Sequence, residues 1–200
     1  MTNRVTSDVY GPIPRLLHWL TVFLVILAWA IGMFGEELFG EGETLTKAAD
    51  TIPLHIHIWA GLAVLLIATI RFPWRIANPP PPLQANEFSQ WLVSWTDPIA
   101  RVTHYALYLL LFVVPIVGIL LQFSRGHSLS LFGLAQIASP LSADRRLART
   151  LEEFHEVAAN VLIIIALFHA GAAIIHHVVF QDNTLARMAP WLRKSGPRAG

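Results

Sequence analysis

The chain contains no cysteine, which excludes disulfides, thiolate-bound iron–sulfur clusters and a covalently attached c-type haem. Charge is scarce too. Only 14% of the 200 residues are Asp, Glu, Lys or Arg, and a formal net charge of +1 says nothing about a partner; no nucleic-acid partner is expected. There is no glycine-rich nucleotide-binding motif and no Ser/His/Asp arrangement with evident geometry. Nor is a signal peptide evident: the first apolar run is too long and lacks a small-residue cleavage pattern behind it, so it is expected to stay in the mature protein.

What the chain has instead is apolar length. Hydrophobic residues make up 54% of it and the mean hydropathy is +0.54, outside the usual composition of soluble domains. Runs at 16–34, 56–70, 105–123 and 157–179 carry almost no charge. Extended by a few flanking residues, each approaches the ~20 residues needed to cross a hydrocarbon core of about 30 Å. Single apolar blocks of this length satisfy their backbone as helices, not as barrel strands. The expected fold is all-α: an integral membrane four-helix bundle, one domain over 1–200, with spans at roughly 14–35, 54–75, 101–123 and 153–179.

The connection after the first run is acidic, with Glu36, Glu37, Glu41, Glu43 and Asp50 against Lys47 alone. Between spans two and three, Pro79, Pro80, Pro81 and Pro82 mark an extended linker flanked by Arg71, Arg75 and Arg101. The excess of positive charge places the N-terminus (Arg4, Arg15), the second loop and the tail (Arg187, Arg193, Lys194, Arg198) in the cytoplasm. Arg125, Arg145, Arg146 and Arg149 in the third loop run against that pattern. Trp19, Trp59, Trp74, Trp91 and Trp95 read as interface anchors.

Nine histidines are many for so apolar a chain, and all but His127 fall in or beside a span. Polar groups at membrane depth need a reason. Neutral imidazole is a strong ligand for haem iron, and two imidazoles on opposite faces of a porphyrin make a six-coordinate b-type centre suited to electron transfer. A single intramembrane histidine is more often a hydrogen-bonding group between helices, so the argument rests on four at consistent depths. His155 and His169 are fourteen residues apart, nearly four turns and roughly 21 Å of rise, so they share a face at two depths. His18 opens span one and His57 opens span two, near opposite surfaces. Depth therefore pairs His18 with His169 and His57 with His155, enough for two haems.

Gly61, one turn after His57, leaves room for a porphyrin plane. His55 points away from the His57 face and reads as a helix-interface residue. His176 shares the face of His169 and is the alternative ligand at that end; otherwise it and His177 meet propionates, quinone or water. His104 has a propionate or quinone contact or a structural role. Arg15, three residues before His18, has the spacing to clamp a haem propionate, or simply sets topology.

These residues resemble the bacterial cytochrome b561 family of small four-helix dihaem membrane proteins, related to hydrogenase cytochrome b subunits. The resemblance is carried by Arg15-Leu16-Leu17-His18-Trp19, by His57-Ile58-Trp59-Ala60-Gly61 followed by Arg71, and by His104 with Tyr108. Pro115-Ile116-Val117-Gly118, Arg125-Gly126, Phe154-His155-Glu156 with His169, and the run from His176-His177 to Met188-Ala189-Pro190 continue it. It implies His18, His57, His155 and His169 as axial ligands of two haem b groups, a bacterial inner-membrane location and exchange of electrons with ubiquinone. Members similar to this chain include superoxide oxidases, and Arg125, at the outer end of span three, is then the residue expected to steer superoxide to the nearer haem. Arg145, Arg146 and Arg149 extend that funnel or form a solvated loop. Two other classes remain open: a cytochrome b subunit passing electrons between quinol and a partner redox protein, and a non-redox bundle using histidines for packing or proton relay.

Overall fold

The four apolar runs become four long helices. The computed structural model describes residues 9–39, 52–78 and 87–192. In it the helices are α1 (Pro12–Phe39), α2 (Ile52–Ala77), α3 (Glu87–Ser124) and α4 (Arg145–Ile175), with a hairpin of β1 (Leu129–Leu131) and β2 (Ala135–Ile137) between α3 and α4. Each helix contains a stretch of at least 24 residues apolar enough to cross a membrane. Residues 40–51, the prolines Pro79 to Pro82, and Arg4, Arg193, Lys194 and Arg198 lie outside the described residues, as does the side chain of Trp91.

Local chemistry sets the ends. Pro12 occupies the first position of α1, where its missing N–H costs nothing. The carboxylate of Asp144 caps α4, accepting from the N–H groups of Arg146 (2.9 Å) and Leu147 (3.0 Å). That cap starts the helix at Arg145 rather than near 153. Arg145, Arg146 and Arg149 therefore sit on the first turns of α4, not in a loop. α3 likewise begins at Glu87 and runs through Pro98 and Pro115. After Ile175 the chain widens into a π turn, His176–Phe180, closed by Gln181 in the left-handed conformation. The hairpin pairs Leu129 with Ile137 and turns on Phe132 and Gly133, both at positive φ.

α1 packs on α2 and α3 on α4, with α2 against α3 joining the pairs; α4 makes only slight contact with α1 and none of comparable extent with α2. The core is small: Val64, Ala68, Leu111 and Leu162, with Leu24, Val25, Leu107 and Phe112 around them. Large apolar side chains such as Phe168 (76% exposed) and Leu16 (67%) face outward, as lipid contact requires. Indole hydrogen bonds tie α1 to distant chain: Trp29 Nε1 donates to Asn160 Oδ1 (2.9 Å) and Trp19 Nε1 to the Met188 carbonyl (3.1 Å).

An even number of crossings gives the bundle two unlike ends. At the terminal end the segment before α1 meets the segment after α4, Tyr10 N–H donating to the Arg187 carbonyl (3.1 Å). At the hairpin end the start of α2 meets the β-hairpin, and Trp59 packs against Gly133. Trp59 is thus half-buried, covered on one side by the hairpin.

Candidate functional site

At the hairpin end, His57 of α2 and His155 of α4 face each other with ring centroids 5.9 Å apart. Each ring is held the same way. His57 Nδ1 lies 2.9 Å from the Ala28 carbonyl of α1 and His155 Nδ1 lies 3.0 Å from the Val114 carbonyl of α3. A carbonyl only accepts, so both Nδ1 atoms carry the proton and both Nε2 atoms keep a free lone pair. Four residues after each accepting carbonyl stands a glycine. A Cβ on Gly32 would lie 3.3 Å from His57 Cε1, and one on Gly118 would lie 3.0 Å from His155 Cε1. In a helix the side chain at i+4 overlies the carbonyl at i, so the missing Cβ is what admits the imidazole.

The terminal end is more crowded. His169 of α4 packs edge-on to His104 of α3 at 5.0 Å, and His104 Nδ1 donates to its own helix at Ala100 (2.6 Å). His18 of α1 lies within electrostatic reach of both, and of Arg71. His18 and His169 thus lie at the same end of the bundle, with His104 beside His169. His176 is elsewhere: its Nδ1 donates to the buried carboxylate of Asp182 at 2.6 Å, and Asp182 also accepts from Thr184 N–H. Arg15 turns back to the Gly11 carbonyl (3.2 Å). Gly61 has open space, a Cβ there meeting nothing within 4 Å. His55 lies against Trp59, with ring centroids 5.8 Å apart and planes tilted by 46°. Arg125 is paired with Glu152 at 2.7 Å, so part of its charge is already neutralised.

Sequence reasoning passed over Arg71 as a site residue. The signal was present: Arg71 follows His57 by fourteen residues, the spacing that puts His155 and His169 on one face at two depths. Among the described residues, Tyr108, Arg75 and Tyr10 are the charged or phenolic groups that act on it.

The chain matches the prokaryotic cytochrome b561 family over residues 9–191. It belongs to that family. Among relatives, it is 34% identical to the probable superoxide oxidase CybB of Yersinia pestis, covering 87% of this chain and 92% of that one. It is 30% identical to cytochrome b561 homolog 2 of Escherichia coli (strain K12), with 92% of each chain covered. With the cytochrome b562 of Cereibacter sphaeroides it shares 26% identity over 90% of this chain and 94% of that one.

The family implies a b-type haem, and the residues present fit one. Two metal–imidazole bonds of about 2 Å plus the two ring radii put facing imidazole centroids roughly 6 Å apart across an iron; His57 and His155 stand at 5.9 Å. Both offer Nε2, and their Nδ1–H bonds to carbonyls are the orienting contacts that metal-ligating histidines make. The slight contact of α4 with the α1/α2 pair leaves the two imidazoles to bridge helices whose backbones stand apart. His104 and His169, at 5.0 Å, are closer than an intervening iron allows.

Proposed function

We propose that this protein moves electrons across the bacterial cytoplasmic membrane by way of two bis-histidine haem b groups, His57 with His155 at the hairpin end and His18 with His169 at the terminal end. The observation that supports this best is the facing pair His57 and His155, each with Nδ1 committed to a neighbouring helix and Nε2 left for metal. When bound, the haems supply one-electron chemistry. The protein supplies the rest: carbonyls of Ala28 and Val114 orient the outer rings, and the apolar helix faces exclude water between the two depths. Both termini lie in the cytoplasm in this reading, so the hairpin end faces outward.

The reaction is superoxide:ubiquinone oxidoreduction. Two superoxide anions each give up one electron and leave as O2; ubiquinone takes the two electrons and two protons to become ubiquinol. The full-length likeness to a probable superoxide oxidase supports that choice. Arg125 favours approach of the anion at the outer end. The test is a dithionite-reduced minus oxidised visible spectrum with haem quantified per chain, followed by rapid mixing with superoxide. Two low-spin b-type haems per chain, reduced by superoxide and reoxidised by ubiquinone, are expected. Haems reduced by quinol but inert to superoxide would make the protein a cytochrome subunit serving a redox partner. A haem-free protein would end the redox reading.

A further inference from the structure

Three guanidinium groups gather at the terminal end around Tyr10. Arg75 Nη1 donates to the Tyr10 hydroxyl at 3.1 Å, and Arg75 and Arg187 both approach the Tyr10 ring, at 5.9 and 5.5 Å from its centroid. Arg71, one turn before Arg75 on α2, is half-buried and reaches His18 electrostatically. All three act on His104, the neighbour of His169. Among the described residues no carboxylate pairs with Arg71; its neighbours are Tyr108, Arg75 and Tyr10. Burial pushes Arg187 below the usual arginine pKa; Tyr10 and Asp182 act against that and Arg75 with it. Like charges drawn together and partly desolvated are costly unless an anion joins them.

We infer that Arg71, with Arg75 and Arg187 behind it, is the carboxylate clamp for the propionates of the haem held by His18 and His169. This rests on the dihaem reading above and replaces Arg15, which bonds its own helix start. A planar guanidinium takes a carboxylate through two parallel bonds, and Arg71 is the one beside a ligand histidine. Its positive charge offsets the propionates and so favours the reduced haem. Among the described residues no arginine acts on the outer pair His57 and His155 in this way.

The test is a redox titration of the purified holoprotein in nanodiscs of zwitterionic lipid, comparing wild type with Arg71→Gln and Arg71→Lys. In Arg71→Gln one of the two haems is expected to become about tenfold harder to reduce, a fall of about 59 mV for a one-electron couple, while the other stays unchanged. Arg71→Lys restores part of the shift. Selective loss of one haem from Arg71→Gln, with Arg71→Lys retaining it, also supports the clamp. Two unchanged potentials at full haem content would overturn it and leave the dihaem reading intact. A shift that appears only after anionic phospholipid is added would assign the anion to a lipid headgroup and overturn it equally. Wild-type protein without haem would defeat the dihaem reading itself.

Discussion

The two ends of the bundle hold their imidazoles by different means. At the hairpin end no arginine or carboxylate among the described residues acts on the two rings, and position comes from backbone: a carbonyl on the next helix, and a glycine four residues on that lets the ring reach it. At the terminal end His18, His104 and His169 gather within reach of three arginines, and His104 bonds a carbonyl of its own helix rather than of a neighbouring one. One end is set by shape and one by charge. Substitutions that add volume should therefore damage the hairpin end, and substitutions that remove charge the terminal end.

The largest effect belongs to the ligands. His57→Ala or His155→Ala is expected to halve the haem per chain while leaving the terminal-end spectrum in place, as measured by haemochrome assay. His176→Ala should leave haem content unchanged, since its ring is engaged with Asp182. Loss of both haems from a single hairpin-end change would show that the ends are not independent.

Next comes Gly118→Ala. Its Cβ would press on His155 at 3.0 Å, tighter than Gly32→Ala on His57 at 3.3 Å. Overpacking of this kind costs about 1–3 kcal/mol, and thermal unfolding of the holoprotein should place Gly118→Ala below Gly32→Ala. Gly61→Val sharpens the contrast. No protein atom stands in its way, so the haem-free protein should unfold within about 0.5 kcal/mol of wild type, yet the variant should retain less hairpin-end haem. Equal haem retention would mean that no porphyrin lies against Gly61.

The smallest effect concerns Arg125. Glu152→Gln should free its charge and raise the superoxide rate about two- to threefold at low salt, with Arg125→Gln lowering it by a similar factor, the scale of a partly exposed ion pair. Both changes should fade as salt shortens the screening length toward about 10 Å at 0.1 M. Stopped-flow rates across ionic strength read this directly; a salt-independent rate would remove Arg125 from the mechanism.

Much of this was legible beforehand because membrane helices reveal themselves by length, and a helix face repeats at fixed spacing. Four apolar runs became four helices, and fourteen residues between His155 and His169 did place them at different ends. Other features were hidden for physical reasons. The early start of α4 depends on one cap, Asp144, set in a charged stretch that reads as loop. The pairing of Arg125 with Glu152 joins residues on two helices. The turning of Arg15 toward Gly11 is a rotamer choice, which spacing alone leaves open.

The sequence by itself determined that the chain crosses a bilayer four times and that its histidines lie in two layers, because hydropathy and helical period are properties of single segments. Only the tertiary structure decided which groups share a layer. It placed His104 beside His169, sent His176 to Asp182, seated two imidazoles over glycines of neighbouring helices and drew Arg71, Arg75 and Arg187 around Tyr10. Those contacts join helices far apart in the chain, and no spacing within one segment encodes how two segments are rotated against each other.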